Sequence, residues 1–151
     1  MEIYLTKSPA QTKKLGQSLA KRILKSKTYG KSTVLGLVGD LGGGKTTFLQ
    51  GFAKGLEIKE RVLSPTFVLM KKFSTSRRSF IHIDCYRIKK AGELLDLGFK
   101  EFVSDPRNII AVEWSDRVKK IMPKNAILLR FEFVNKNTRK IVIESKNGKR
   151  T

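Results

Sequence analysis

Thr33-Val34-Leu35-Gly36-Leu37-Val38 runs directly into Gly39-Asp40-Leu41-Gly42-Gly43-Gly44-Lys45-Thr46, and Thr47-Phe48-Leu49-Gln50-Gly51-Phe52-Ala53-Lys54 follows. The first block has the composition of a buried strand, the last is compatible with a helix, and the middle satisfies G-x-x-x-x-G-K-[ST]. Strand, glycine loop and helix, in that order, is the arrangement that turns backbone N–H groups toward an anion. Glycines reach conformations closed to residues with side chains, so successive loop amides can cradle phosphate oxygens, and the positive end of the new helix adds to the same field. In such a loop Lys45 reaches the β- and γ-phosphates of a nucleotide, and Thr46 offers its hydroxyl to Mg²⁺. The stretch predicts a nucleotide site between Val38 and Thr47.

Upstream, Ser8 to Lys25 reads as an amphipathic helix, with Leu15, Leu19 and Ile23 on one face and Lys13, Lys14, Lys21 and Arg22 outside. Ser8 followed by Pro9 suits a cap and first turn. Downstream, Glu57 to Leu63 is a connection, followed by Ser64-Pro65-Thr66. Phe67 to Phe73 and Phe80 to Asp84 read as two strands joined by the polar turn Ser74-Thr75-Ser76-Arg77-Arg78-Ser79. The basic tip of that turn suits a polyanion contact and an ordinary solvated hairpin end equally well. Two short helical pieces, near Ala91 to Asp96 and Phe99 to Val103, lead to the strand Asn108-Ile109-Ile110-Ala111-Val112-Glu113. A helix from Ser115 to about Ile121 is stopped by Met122-Pro123. Ile127 to Phe133 and Lys140 to Ile143 then alternate as strands about a turn at Val134-Asn135-Lys136-Asn137-Thr138. The sum is an α/β fold with a parallel centre and antiparallel additions.

Length and composition agree with one domain over residues 1–151: 40% hydrophobic residues supply a core, with no linker, internal repeat or low-complexity block. No apolar run has the length of a membrane span, and Met1-Glu2-Ile3-Tyr4-Leu5-Thr6 lacks a signal-peptide core. The single cysteine, Cys85, cannot form an internal disulfide, which suits a reducing cytoplasm. Thirty-two Lys and Arg against thirteen Asp and Glu give a formal charge of +19. That excess predicts attraction to a polyanion, nucleic acid before membrane, although a lysine-heavy genome produces the same bias. The clusters Lys71-Lys72, Arg77-Arg78, Lys89-Lys90, Lys119-Lys120 and Lys146 to Arg150 are spread along the chain, as in a broad electrostatic footprint and unlike a base-reading module. No RRM, KH or zinc-finger pattern accompanies them.

A phosphate loop that hydrolyses its nucleotide needs a further acid at the carboxyl end of a neighbouring strand, holding Mg²⁺ directly or through water. Asp84 ends Phe80-Ile81-His82-Ile83, and Glu113 ends Ile109-Ile110-Ala111-Val112. Strand-terminal carboxylates lie on the edge where α/β sheets place their ligands. His82, the only histidine, excludes a multi-histidine metal cage and suits a satisfied core residue better than a general base. Trp114 is placed either to pack on adenine or to fill a gap. Cys85 has no base beside it in sequence and reads as a small buried residue, not a nucleophile.

Taken together, Gly39 to Thr47, Ser64-Pro65-Thr66-Phe67, His82-Ile83-Asp84-Cys85-Tyr86-Arg87, Glu93-Leu94-Leu95-Asp96-Leu97-Gly98 and Val112-Glu113-Trp114-Ser115 resemble the TsaE family, P-loop ATPases of tRNA threonylcarbamoyladenosine biosynthesis. The blocks occur in the family's order between about residues 33 and 115. The resemblance implies a P-loop NTPase-like three-layer α/β fold with a mixed, centrally parallel sheet. It also implies a cytoplasmic Mg²⁺-dependent ATPase, weak alone and stimulated by its partners TsaB and TsaD, with tRNA reached through the assembly. Carried onto this chain, it assigns ATP to Gly39, Asp40, Leu41, Gly42, Gly43, Gly44, Lys45, Thr46 and Thr47, and Mg²⁺ to Thr46 and Glu113. Thr66 falls in a switch-like loop near the γ-phosphate, Asp84 is the acid that helps place water or metal, and Trp114 stands near the nucleotide. Ser8 and Thr12 fall in an N-terminal lip near adenine. Cys85, Lys100 and the Ser115-Asp116 pair depart from the usual family residues without removing a phosphate or metal group.

Two other functions are open to the same residues. A small-molecule P-loop kinase would need an acceptor pocket and a basic lid, for which there are basic segments but no acceptor motif. A nucleotide-gated RNA-binding module would use the charge more than the turnover.

Overall fold

In a computed structural model of the chain, the described residues are 1–26, 30–39, 42, 44–63, 69–75 and 77–145. The apolar run before the glycine loop is β2, Thr33–Gly39, and it lies at the centre of one seven-stranded sheet. On one side β2 pairs in parallel with β5, Asn108–Glu113, which pairs in parallel with β4, Ser79–Asp84. On the other side it pairs in parallel with β6, Ile127–Asn135. Antiparallel strands complete both wings: β3, Met70–Ser74, on β4; β7, Thr138–Ser145, on β6; and β1, Glu2–Thr6, on β7. The parallel centre and antiparallel additions are those expected. Every residue of β5 is buried, as a continuous apolar run in a sheet covered on both faces should be.

Alternation along the strands sorts side chains into two cores. Leu35 and Leu37 of β2, Phe80 of β4, Ile109 and Ala111 of β5 and Phe131 of β6 face α1, Pro9–Lys25, and α2, Lys45–Gly55. Val34, Ile81, Ile83, Ile110 and Val112 face the other layer. That layer is α3, Ala91–Asp96, α4, Phe99–Ser104, and a 3₁₀ segment, Ser115–Ile121. The two helices of the first layer meet backbone to backbone: a Cβ at Gly51 would lie 1.9 Å from the carbonyl oxygen of Lys13, and one at Gly16 would lie 2.2 Å from that of Phe48. Glycine at the contact allows α1, from Lys13 to Gln17, to press its backbone against α2 from Phe48 to Gly55.

One element was not anticipated, one expectation needs correction, and one alternative left open acquires a contact. Glu2–Thr6 is a strand, although it carries no local strand signature beyond five residues of alternation, with Ile3 and Leu5 exposed on an edge. Residues 115–121 form a 3₁₀ segment and not an α-helix, because Trp114 enters it in the left-handed region (φ 57°) and Val118 leaves helical geometry (φ −123°, ψ 27°). The basic hairpin tip is half committed: Arg78 donates to the carbonyls of Pro106, Arg107 and Asn108, and burial lowers its guanidinium pKa. The last two strands run further than expected, to Asn135 and from Thr138, which narrows the turn expected at Val134 to Thr138 to Lys136-Asn137, and Ser8 Oγ accepts from Gln11 N to cap α1. Residues 64–68, including the start of the strand expected from Phe67, and the basic cluster at 146–150 lie outside the described residues. Among the described residues no helix is long and apolar enough to cross a membrane.

Candidate nucleotide-binding site

The carboxyl edge of β2 gives the site its position. Gly39 ends the strand at φ 141°, a value that L side chains rarely adopt, and a Cβ there would lie 2.3 Å from the carbonyl oxygen of Phe131. The backbone therefore passes close over β6 only with glycine at this position. Gly44, also left-handed at φ 100°, caps α2, and its carbonyl accepts the first intrahelical bond, from Phe48 N at 2.9 Å. Lys45 begins the helix, with Thr46 and Thr47 behind it in the first turn, where unpaired amides and the helix dipole favour an anion. Asp40, Leu41 and Gly43, assigned to the same loop, and Thr66, assigned to the switch-like loop, lie outside the described residues.

Lys45 is buried, with 6% of its surface exposed. Its Nζ donates to Gly39 O at 2.5 Å and lies 4.3 Å from the centroid of the Trp114 ring. A carbonyl and a π face both attract an ammonium, and a phosphate oxygen, which carries charge, attracts it more strongly than either. Trp114 stands against the lysine head; Tyr86 packs on it at 5.2 Å, and the Arg117 guanidinium lies 5.5 Å from both rings.

The two strand-end acids are neighbours. Asp84 and Glu113 are register partners across β4 and β5, and Glu113 is also paired with Leu37 of β2, two residues before the loop. Asp84 Oδ1 accepts from Tyr86 N at 3.0 Å, which fixes the turn leaving β4. Glu113 is buried at 3% exposure, and its Oε2 lies 2.6 Å from Nε2 of His82, itself fully buried. Because a carboxylate accepts, Nε2 of His82 carries the proton in this contact. His82 thus aims an acid through Nε2, while its Nδ1 is buried with no hydrogen-bond partner among the described residues, an arrangement that single-residue reading could not distinguish from a general base. Its signal lies only in the pairing of two strands: His82 sits opposite Ala111, which puts its ring diagonal to Glu113 on the α2 side of the sheet.

Oxygen donors from a hydroxyl and carboxylates suit Mg²⁺, which binds few protein groups and keeps several waters. Thr46, Glu113 and Asp84 have that chemistry. Among the described residues there is no group of three or more His, Cys, Asp or Glu able to cage an ion. Cys85 is buried and free, and its thiol is pushed up to about 12, first by desolvation and then by the charge of Asp84, so it is no nucleophile at neutral pH.

The N-terminal lip reaches the loop from α1. Thr12 is buried and its Oγ1 pairs with Thr6 Oγ1 at 2.7 Å, while its methyl carbon would lie 3.7 Å from a Cβ at Gly44. Ser8 spends its hydroxyl on the helix cap, at the same turn. Arg139, at the start of β7, has no sequence signal and is nevertheless the arginine on the loop: its Nε donates to Gly42 O at 2.9 Å.

A glycine loop that joins the central parallel strand to a helix, beside carboxylates at the ends of adjacent strands in a three-layer sandwich, defines a P-loop NTPase-like α/β protein. The family model of the threonylcarbamoyl adenosine biosynthesis protein TsaE matches residues 6–141, and the chain belongs to that family. It is 37% identical over 144 residues to the tRNA threonylcarbamoyladenosine biosynthesis protein TsaE of Aquifex aeolicus, covering 94% of this chain and 95% of that one. To the protein of the same name from Bacillus subtilis it is 36% identical over 108 residues, 72% of this chain and 66% of that one. The crystal structure of Bacillus subtilis YdiB matches with a TM-score of 0.76 at 28% identity, covering 95% of this chain and 84% of that one.

Proposed function

We propose that this chain is the ATP-binding and hydrolysing subunit that supports threonylcarbamoyladenosine modification of tRNA by TsaB and TsaD in the cytoplasm. The observation that carries the reading is the convergence at one sheet edge of a helix beginning at Lys45 and two paired strand-end acids, Asp84 and Glu113. Family membership supports the pathway. In this reading the loop amides and Lys45 hold the polyphosphate, with Lys45 exchanging Gly39 O and the Trp114 face for phosphate oxygens. Thr46 and Glu113 would hold Mg²⁺, which when bound shields phosphate charge during cleavage. His82 keeps the Glu113 carboxylate pointed at the site, and Asp84 orients the attacking water. In this reading water is the acceptor, and the same carboxylates would serve a hydroxyl acceptor, so the identity of the acceptor is left to the assay.

Incubation with Mg-ATP, with and without TsaB, TsaD and tRNA, tests the proposal. The expected result is slow release of phosphate by the chain alone, stimulation by the partners, and loss of it in Lys45→Ala and Glu113→Ala. Phosphoryl transfer to a small metabolite, or turnover unchanged in both variants, would overturn it.

A further inference from the structure

The turn that leaves β4 and the 3₁₀ segment that follows β5 enclose an open cleft of about 600 Å³, lined by Tyr86, Arg87, Ile88, Lys89 and Arg117. Its backbone is held at fixed points. Tyr86 N donates to Asp84 Oδ1 at 3.0 Å, Ile88 N to Cys85 O at 3.1 Å and Arg117 N to Trp114 O at 3.0 Å, while Cys85 and Ile88 anchor the turn in the core. Tyr86 is nevertheless 45% exposed. Trp114 packs on it, and the Arg117 guanidinium stands against both rings. Residues 84–93 and 115–121 carry six cations, Arg87, Lys89, Lys90, Arg117, Lys119 and Lys120, against three carboxylates, Asp84, Glu93 and Asp116. Two of those acids bond to backbone, Asp84 to Tyr86 N and Glu93 to the N–H groups of Lys89 and Lys90. Among the described residues none of the six cations is in an ion pair. An open aromatic ring on a rigid turn, edged by unpaired cations, is how single-stranded nucleic acids are held: the base stacks on the ring and the phosphates meet the charges. An acidic peptide would use the cations and leave the ring idle, and a duplex would keep its bases from it.

We propose that this cleft binds one nucleotide of single-stranded RNA, with its base stacked on Tyr86 and its phosphates on Arg117, Arg87 and Lys89. The choice of RNA as the strand rests on the tRNA-modifying role proposed above; the ring and the cations do not depend on it. The cleft is a second site beside the phosphate loop, because its lining includes no residue of that loop. Trp114 forms the wall between the two, with Lys45 Nζ 4.3 Å from its ring centroid and Arg117 against the same ring. The formal charge of +19 draws RNA to the surface as a whole, and the exposed ring gives it one place to settle.

Fluorescence anisotropy of a short labelled single-stranded RNA, titrated with the full chain over a range of salt, tests this. The proteins are wild type, Tyr86→Leu, Tyr86→Phe, Arg117→Ala and a control carrying Lys21→Ala with Lys25→Ala, which removes two exposed charges from α1 on the opposite layer. Tyr86→Leu, which removes the ring, should bind roughly 5- to 100-fold more weakly with an unchanged salt slope, and Tyr86→Phe should stay within about twofold of wild type. Arg117→Ala should weaken binding about tenfold and lower the salt slope by about one. Wild-type affinity in Tyr86→Leu, or a loss in Arg117→Ala no larger than in the α1 control, overturns the cleft and leaves only general charge attraction. The same RNA annealed to its complement should bind more weakly, and equal binding overturns the stacked base. Polyglutamate that competes as well as RNA of equal charge makes the occupant an acidic protein segment and overturns the proposal, as does failure of tRNA to displace the labelled strand. Parallel loss of Mg-ATP binding in Tyr86→Leu and Arg117→Ala would merge the cleft with the nucleotide site and overturn it as a second one. ATP turnover by a wild type that binds no RNA overturns this inference alone, whereas RNA binding without turnover overturns the ATPase reading and leaves the cleft.

Discussion

The contact between His82 and Glu113 makes a quantitative prediction about the fold. The ring is 1% and the carboxylate 4% exposed, and they meet at 2.6 Å in a layer walled by α2 and the sheet. His82→Leu removes the donor and leaves the carboxylate buried; Glu113→Leu removes the acceptor and leaves Nε2 buried. Breaking a buried pair from one side costs about 3–5 kcal/mol, whereas replacing both members by apolar groups of similar volume is close to neutral. Against a net stability of roughly 5–15 kcal/mol for a domain of this kind, either single variant should approach the edge of folding. The double variant should therefore be more stable than either single, with a coupling of about 3 kcal/mol or more. Guanidinium chloride unfolding of all four proteins, without nucleotide or metal, measures the cycle. Costs that add to within about 0.5 kcal/mol would refute the pairing and with it the argument that His82 aims Glu113.

Other outcomes follow from particular contacts. Gly51→Ala gains up to about 1 kcal/mol of helix propensity but drives a Cβ into the Lys13 carbonyl, so a net loss of about 1–3 kcal/mol is expected. A raised melting temperature in that variant would contradict the close approach of α1 and α2. Cys85 should resist Ellman's reagent at pH 8 in the folded protein and react once unfolded; equal rates would contradict its burial. Its folded-state pKa, near 12, lies above the unfolded value of 9.0, so the linked stability is intact below pH 9 and declines between pH 9 and 12. That decline should shrink in Cys85→Ala when unfolding is compared at pH 8 and pH 10.5. Trp114, the only tryptophan, should change its emission when Mg-ATP draws Lys45 from its ring, and an unchanged spectrum at saturation would place the lysine elsewhere.

The centre of this fold is written locally and its edges are not. β2, the loop and α2 follow from one stretch because strand composition, glycine conformations and helix spacing are all short-range properties. β5 and β4 follow from apolar runs closed by acids, which also located Glu113 and Asp84. β1 escaped because five alternating residues on an edge owe their strand state to β7, far along the chain, with Glu2 opposite Ile143. The 3₁₀ segment escaped because its course is set by the left-handed turn at Trp114 and not by propensity. The same physics divides the site. Lys45 and Thr46 are legible from the loop, whereas the partnership of His82 with Glu113 depends on sheet register, and Arg139 reaches Gly42 across 97 residues. Side chains that act through a neighbour are visible only when the neighbour is.

The central claim is that the sheet edge at Gly39 to Thr46 binds a nucleotide. Isothermal titration of Mg-ATP into the wild-type chain and into Lys45→Ala tests it most directly. The account predicts saturable one-to-one binding by the wild type and its loss in the variant, where the buried ammonium is gone. Equal affinity in the two proteins, or no heat of binding in either, would contradict it.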